Sequence, residues 1–145
     1  MRNDLRHALW AILPVLAMAG CAKPAALAVD GAWVRLPAVT GRPAAAYFTV
    51  HGGPADATLI AVRATAASRG ELHESMANGM RAIGSVVVPA GKAIAFAPGG
   101  RHVMLFDVDP RVTPGKPVTL DLIFADGRRL PAEARTVAAG DPPPT

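Results

Sequence analysis

The segment HESMANGMRAIGSVVVPAGKAIAFAPGGRHVM, residues 73–104, sets the expected fold of the whole chain. Within it, short runs of Val, Ile, Phe and Ala alternate with turn signals at Asn78-Gly79, Pro89-Ala90-Gly91 and Pro98-Gly99-Gly100. Such runs favour β-strands, and Asn, Gly and Pro allow the tight turns that join them. The segment therefore predicts a series of short strands, each joined to the next by a tight turn.

The same alternation extends over most of the chain. The 145 residues include 14 glycines and 14 prolines, and they contain no long amphipathic helical pattern. The predicted fold class is all-β, a compact antiparallel sandwich or barrel. Strands are expected near residues 31–36, 44–50, 57–64, 70–75, 80–88, 92–97, 101–108, 117–125 and 129–137.

The length and charge of the chain limit the classes of protein to which it can belong. With 145 residues and 51% hydrophobic content, it can form one domain with an ordinary core. The formal net charge is +4, and the basic residues are scattered apart from Arg128-Arg129. Because neither a basic helix nor a basic patch with aromatic residues is visible, nucleic acid is not an expected partner.

The first twenty residues have the features of a secretion signal. Arg2 and Arg6 precede an apolar run at residues 8–20. This run is too short to span a bilayer comfortably, but it has the length of a signal-peptide core. Residues 1–20 are therefore expected to be a removed signal peptide, and the mature protein is expected to be exported.

Cys21 follows this run directly, in the sequence Leu16-Ala-Met-Ala-Gly20-Cys21. The sequence resembles a bacterial lipobox, in which the cysteine is lipidated and becomes the first mature residue, although Met18 stands where leucine is preferred. The alternative is ordinary cleavage after Ala19 or at Ala26-Leu27-Ala28, with Cys21 incidental. Because Cys21 is the only cysteine, no internal disulfide can form.

The rest of the chain divides into three predicted parts. Residues 21–29 include an Ala- and Pro-rich stretch and are expected to form a tether. Residues 30–139 are expected to form the globular domain. Residues 140–145, Gly-Asp-Pro-Pro-Pro-Thr, are expected to be a flexible tail, because proline cannot donate a hydrogen bond to a sheet.

Soft metal-binding side chains are concentrated in residues 73–104. If the signal is removed, all of the remaining methionines lie here, together with two of the three remaining histidines. On a strand, His102 and Met104 share a face about 6.6 Å apart, so both could bind one ion above that face. The full donor set is His73, Met76, Met80, His102 and Met104.

The Asn78-Gly79 dipeptide predicts which upstream methionine accompanies His73. A two-residue hairpin turn here would pair Ala77 with Met80 on the face that carries His73, and Met76 would point the other way. Met80 is therefore preferred to Met76. Because His73 and Ala77 lie about 13 Å apart in a flat strand, the loop must curl if His73 and Met80 bind one ion.

The mixture of thioether and imidazole donors favours Cu(I), a soft ion, over hard cations that bind carboxylate oxygens. Export gives a reason to avoid thiolates, since a cysteine pair tends to form a disulfide outside the cytoplasm. Any one of these residues alone is more often a core or surface side chain than a ligand. The joint pattern of His-x-Met with an upstream His and Met favours a metal site.

His51 is the remaining histidine of the mature chain. It follows Tyr47 and Thr49 on the polar side of its strand, whereas Ala46 and Phe48 face inward. It is therefore expected to face solvent rather than a metal.

The donor spacing resembles the signature of the PCu(A)C-type periplasmic copper chaperones. In that family a His and a more distant Met are followed by 21 residues and His-x-Met, and here 21 residues separate Met80 from His102-Val103-Met104. Further similarity covers most of the mature chain. It is found in Ala32-Trp33-Val34-Arg35, Ala45-Ala46-Tyr47-Phe48, Glu71-Leu72-His73-Glu74, Val88-Pro89-Ala90-Gly91, Ala97-Pro98-Gly99-Gly100 and residues 120–127.

The resemblance implies a cupredoxin-like Greek-key β-barrel or sandwich that holds one Cu(I) ion. By position, the ligands would be His73, Met80, His102 and Met104. Family members usually have ten or more residues between the first His and the first Met, whereas six lie between His73 and Met80 here. Met76 is therefore kept as the alternative to Met80. A single site is expected because the His/Met-rich carboxyl-terminal extension of some members is missing.

The resemblance also implies a function. It predicts a monomeric periplasmic chaperone, not an enzyme, that delivers Cu(I) to the dinuclear copper centre in subunit II of cytochrome c oxidase. A thiol-bearing assembly factor is a second candidate partner. The only expected membrane contact is a lipid anchor on Cys21.

Other classes of function stay open. A metal-free envelope lipoprotein could use the barrel as an interaction module. A cupredoxin electron carrier is less well supported, because blue-copper sites need a cysteine thiolate beside two histidines and Cys21 lies outside the domain. An enzyme is the least supported class, because Ser85, Glu74 and His73 are accompanied by neither a nucleophile elbow nor a paired-carboxylate motif.

Overall fold

The computed structural model describes residues 25–145, in which ten β-strands and no helix are present. The signal peptide, Cys21 and the first residues of the predicted tether lie outside the described residues. The strands are β1 (Ala28–Arg35), β2 (Ala44–His51), β3 (Ala57–Ala64), β4 (Arg69–Met76), β5 (Gly79–Ala82), β6 (Val86–Val88), β7 (Ala93–Phe96), β8 (Arg101–Phe106), β9 (Pro117–Phe124) and β10 (Arg129–Val137). The predicted all-β class is confirmed. This part of the chain also contains no helix long and apolar enough to cross a membrane.

The strands form one continuous hydrogen-bonded sheet that curls on itself. Their order is β5-β4-β8-β2-β1-β10-β9-β3-β6, and β7 pairs with the second half of β2 while β8 pairs with the first half. Neighbouring strands are antiparallel except β1 and β10, which are parallel. Gly70 in β4 lies directly against the carbonyl oxygen of Val62 in β3, although these strands are far apart in the pairing order. The two halves of the sheet therefore meet and enclose the core.

Alternation along the strands decides which side chains enter the core. Val103 and Leu105 of β8 and Leu72 of β4 are buried, while the residues between them face outward. Phe48 stacks on Phe96 with their ring centroids 4.4 Å apart. The alternate residues of β4 and β8 are thus available on the outer surface.

A second, smaller apolar cluster covers part of that outer surface. Trp33 and Tyr47 pack with ring centroids 4.4 Å apart, beside Val137, and the Arg35 guanidinium lies 5.0 Å above the Trp33 ring. Tyr47 was expected on the polar side of β2, and it does lie on that side. It is nevertheless buried, because Trp33 covers it.

The single strand predicted at 80–88 is wrong, because this segment forms two strands with different partners. β5 pairs with β4, whereas β6 pairs with β3 at the other end of the sheet order. The amide of Ile83 donates to the carbonyl of Leu72 at 2.8 Å, and the chain then crosses through Gly84 and Ser85. Val86 and Val88 are buried in the core beside β3.

The strand predicted at 101–108 ends two residues early. Asp107 adopts a positive φ of 52°, which interrupts the extended backbone after Phe106. Its carboxylate accepts a hydrogen bond of 2.6 Å from the hydroxyl of Ser68. Beyond this point the chain forms the loop that leads to β9.

The carboxyl-terminal residues form no strand, as the prolines led us to expect. The carbonyl oxygen of Asp141 accepts a hydrogen bond of 3.3 Å from Arg35, and its carboxylate accepts one of 3.2 Å from the amide of Ala138. The start of the tail is therefore held against β1. The flexibility of residues 140–145 stays a prediction.

The contact between Gly70 and Val62 yields a prediction about stability. A methyl group at Gly70 would overlap the Val62 carbonyl oxygen and would lie 3.5 Å from Leu105. We expect Gly70→Ala to lower the free energy of unfolding by about 1–3 kcal/mol, as overpacking does, measured by urea denaturation. Gly84→Ala is the matched control, because the space at Gly84 is open; equal effects of the two changes would contradict the prediction.

The Asp109 carboxylate, in the loop between β8 and β9, predicts that the stability of the fold depends on pH. Hydrogen bonds from the side chain and backbone of Arg111 lower the pKa of Asp109 to about 2. Because this pKa is below the unfolded value of about 3.9, the stabilisation is present above that value and is lost as the pH falls toward 2. The stability difference between the parent and Asp109→Asn should therefore be present at about pH 6 and shrink near pH 2. A difference of the same size at both pH values in urea titrations would argue against this assignment.

Candidate metal centre

The four predicted ligands lie on three adjacent strands at one edge of the sheet. The register pairs His73 of β4 with His102 of β8, and pairs Glu71 with Met104. In the β4–β5 hairpin, Ser75 pairs with Met80. Paired residues, and residues two apart on a strand, point to the same side. His73, Met80, His102 and Met104 therefore share the outer face, opposite the core.

The hairpin turn differs from the one predicted. Gly79 pairs with Met76, so Ala77 and Asn78 are the turn residues, and Gly79 adopts a φ of 133° at the start of β5. Met80 therefore lies opposite Ser75, whereas a turn at Asn78-Gly79 would have placed it opposite Ala77. It is two residues nearer to His73 than predicted. A shift of two residues preserves the faces, so the predicted face of Met80 is correct and the loop does not need to curl.

His102 and Met80 are in direct contact. The Nε2 atom of His102 lies 3.1 Å from the Met80 sulfur, and Nδ1 lies 3.0 Å from the carbonyl oxygen of Gly100. A carbonyl oxygen only accepts hydrogen bonds, so in the neutral ring Nδ1 carries the proton and Nε2 presents its lone pair to the sulfur. Two electron-pair donors thus face each other 3.1 Å apart, close enough for one small ion to contact both.

His73 presents a second available nitrogen. Its Nε2 atom lies 3.2 Å from a carboxylate oxygen of Glu71. Its Nδ1 atom is buried and has no hydrogen-bond partner among the described residues. A carboxylate accepts the Nε2 proton, so Nδ1 keeps its lone pair. The His73 and His102 rings lie with centroids 5.8 Å apart and planes tilted by 37°.

Glu71 is charged near neutral pH in this arrangement. The hydrogen bond from His73 and the nearby guanidinium of Arg69 lower the pKa of Glu71 below its ordinary value. Arg69 donates a hydrogen bond of 2.9 Å to the other carboxylate oxygen. The Glu71 side chain is thus held from both sides.

The two remaining methionines have different positions. Met104 is half-buried on the outer face, two residues from His102 along β8. Met76 points to the opposite face of the hairpin and is 53% exposed. Met80 is 60% exposed, whereas its neighbour His102 is only 4% exposed. The structure thus places the four preferred residues on one face and Met76 on the other, although Met76 and Met80 both line a small cleft at the hairpin.

The reverse face of the same three strands is held by an ion-pair cluster. Glu74 accepts a hydrogen bond of 3.0 Å from Arg81 of β5 and lies 3.7 Å from Arg101 of β8. These residues alternate with His73, Met80 and His102 along the strands. The cluster therefore links the three strands without entering the donor face.

His51 lies away from the donor face, as expected. Its Nε2 atom is 2.9 Å from the Asp30 carboxylate, and its side chain is partly exposed. A separate cleft of about 470 Å³ lies beyond the last residue of β8, between the loops around Arg42 and Asp109. It includes none of the predicted ligands.

Sequence reasoning missed Glu71 and Gly100 as partners of the histidines. Glu71 stands two residues before His73, and this spacing alone puts both on one face of a strand. That signal was available. The Gly100 carbonyl was not detectable, since its direction depends on the turn between β7 and β8, where it also accepts from the amide of Ser75 at 3.1 Å.

The donor set suits a soft ion. Within residues 25–145, no group of three or more His, Cys, Asp or Glu side chains is arranged to hold a metal. The outer face instead combines two imidazole nitrogens, each with an available lone pair, and two thioethers. Thioether and imidazole ligands match the preference of Cu(I).

Comparison with known proteins identifies the family of the chain. Residues 27–136 match the family described as "Putative lipoprotein LpqE-like", and the chain belongs to this family. A relative, "Putative lipoprotein Lxx21020" from Leifsonia xyli subsp. xyli (strain CTCB07), is 32% identical over 108 residues. The match covers 71% of this chain and spans 64% of the length of that relative.

Solved structures of similar fold include PCuAC domains. The "Copper-bound PCuAC domain from PmoF2" has a TM-score of 0.66 and 21% identity, covering 81% of this chain and 99% of that one. "CuI-DR1885 from Deinococcus Radiodurans" has a TM-score of 0.66 and 26% identity, covering 83% of this chain and 85% of that one. The cupredoxin-like fold class and the resemblance to PCuAC proteins are therefore confirmed.

Proposed function

We propose that this protein is an exported copper chaperone that binds one Cu(I) ion through His73, Met80, His102 and Met104. The observation that carries the proposal is the contact of 3.1 Å between the Nε2 atom of His102 and the Met80 sulfur. The buried Nδ1 atom of His73, which has no partner among the described residues, adds a third available donor beside it. Similar structures that contain copper, the copper-bound PCuAC domain from PmoF2 and CuI-DR1885, support the same conclusion.

The choice of Cu(I) follows from the ligand chemistry. Two thioethers and two neutral imidazoles carry no charge, so they suit a soft monovalent ion better than a hard divalent one. Thioethers do not titrate, but both histidines must be deprotonated at the binding nitrogen. Affinity is therefore expected to fall in acid through the histidines alone.

The exposure of the donors suits a protein that passes its ion on. Met80 is largely exposed at the hairpin, whereas His102 is almost fully buried behind it. A partner can therefore displace the thioether first, while the imidazole still holds the ion. This is a binding and transfer role, and it involves no catalysed reaction.

The proposed recipient is the dinuclear copper centre in subunit II of cytochrome c oxidase, with a thiol-bearing assembly factor as a second partner. This part follows from the resemblance to periplasmic copper chaperones stated above. The chaperone would act as a monomer. A cupredoxin electron carrier is disfavoured because the only cysteine of the chain, Cys21, lies outside the domain.

The proposed location is the periplasm, with a lipid on Cys21 as the membrane anchor. The lipobox-like sequence before Cys21 and the description of the family as lipoproteins support this location. Residues 22–27 would then connect the anchor to β1, which begins at Ala28, two residues before the predicted end of the tether. A tether of this kind would let the donor face turn toward a membrane-bound recipient.

Replacing each methionine by leucine tests the ligand set. Leucine has nearly the volume of methionine, so packing is kept while the sulfur is removed. We expect Met80→Leu and Met104→Leu to weaken Cu(I) binding about tenfold or more, or about 1.4 kcal/mol. The measurement is an anaerobic Cu(I) competition titration of residues 21–145 carrying Cys21→Ser.

Met76→Leu is the matched control, because Met76 lies on the opposite face of the same hairpin. It should bind one Cu(I) as tightly as the parent. Loss of binding in Met76→Leu with retention in Met80→Leu would make Met76 the ligand. No Cu(I) binding by the parent would overturn the proposal and favour the metal-free interaction module.

The proposed anchor is tested in cells with the full chain. The parent protein should be found in the membrane fraction and should be released by detergent, whereas Cys21→Ser should be found in the soluble periplasmic fraction. Gly20→Ala changes a neighbouring residue and keeps the cysteine, so it should behave as the parent does. Membrane retention of Cys21→Ser after removal of its signal peptide would refute lipidation at this residue.

A further inference from the structure

We propose that Glu71 is a positioning residue that holds His73 in the tautomer with Nδ1 free, so that the two histidines bind copper through different ring nitrogens. His73 would use Nδ1, whereas His102 would use Nε2. The inference builds on the proposed function and concerns a residue that orients one of the proposed ligands. Its first test needs no copper.

The hydrogen bonds of the two rings carry the inference. The His102 Nδ1–H group donates to the Gly100 carbonyl, which leaves Nε2 for the ion. The His73 Nε2–H group donates to Glu71, which leaves Nδ1. One acceptor thus fixes each ring, but it binds the Nδ1 proton of His102 and the Nε2 proton of His73.

The burial of the His73 Nδ1 atom gives independent support. A buried polar atom without a hydrogen bond destabilises the folded state, so such atoms are rare in folded proteins. The His73 Nδ1 atom is one of two such side-chain atoms among the described residues. The ring of His73 lies on the face that also carries His102 and Met80, and its centroid is 5.8 Å from that of the His102 ring. A metal ion bound to Nδ1 on this face would satisfy the buried atom.

Glu71 itself is held in place by its neighbours. Arg69 donates to Oε1 of Glu71 at 2.9 Å, and its guanidinium lies 4.2 Å above the ring of Phe106. Oε2 is therefore directed at His73, at 3.2 Å. Carboxylates that orient ligating histidines in this way also raise their basicity, and their loss typically weakens metal binding about 10–100-fold.

Glu74 provides a matched control for Glu71. It is the same residue type on the same strand and is also paired with arginines, but it faces the other side. Glu71→Ala removes the acceptor, Glu71→Gln keeps an oxygen that can accept the Nε2 proton, and Glu74→Ala leaves His73 untouched. Thermal unfolding of each variant establishes that it is folded.

The first measurement is the tautomer of His73 by ¹⁵N NMR of the imidazole nitrogens. It uses metal-free residues 21–145 with Cys21→Ser, at a pH where the rings are neutral. We expect Nε2–H at His73 and Nδ1–H at His102 in the parent, in Glu71→Gln and in Glu74→Ala. Glu71→Ala should show a mixture of tautomers at His73 alone. A parent protein with Nδ1–H at His73 would overturn the inference.

The second measurement is Cu(I) affinity in the same competition titration. We expect about a 10–100-fold loss for Glu71→Ala, a smaller loss for Glu71→Gln and no change for Glu74→Ala. Parent-like affinity of Glu71→Ala would refute the positioning role while leaving the chaperone proposal intact. A parent protein that binds no Cu(I) would instead overturn the proposed function on which the inference builds.

Discussion

The antiparallel register between β4 and β8 is the constraint on which the donor face depends. It sets His73 opposite His102 and leaves Leu72, Val103 and Leu105 in the core. A slip by one residue would turn these apolar side chains out to solvent and the histidines into the core, which hydrophobic burial opposes strongly. The free energy that forms the barrel therefore also orients the side chains proposed to bind the metal.

Hydrogen bonds then decide which atom of each ring is available. A backbone carbonyl at Gly100 and a carboxylate at Glu71 hold the two imidazoles, and neither acceptor can donate a proton in return. The Met80 sulfur, which lies on the exposed hairpin, contacts the Nε2 atom of His102. The donor face thus combines a buried, oriented imidazole at His102 with an exposed thioether at Met80. This combination would suit an ion that must be held and then released.

Much of the fold could be predicted because strand periodicity is a local property. The apolar runs and their Gly- and Pro-containing turns indicated most strand positions within a few residues, and the period of two placed His102 and Met104 on one face. The segment 80–88 was wrongly predicted as one strand because the composition of both halves favours a strand. The division appears only when the chain must pair first with β4 and then with β3. Tyr47 was assigned to the correct face, but the Trp33 ring that buries it comes from another strand.

The sequence by itself determined the all-β class, the soft donor set and the face on which each donor lies, because these follow from residue type and from alternation along a strand. Only the tertiary structure decided that Ser75 rather than Ala77 lies beside Met80, and that Glu71 and Gly100 accept the ring protons. Hairpin register, turn geometry and the direction of a carbonyl arise from strand pairing across the sheet. They depend on contacts between residues that are distant in the chain, and local sequence patterns do not contain that information.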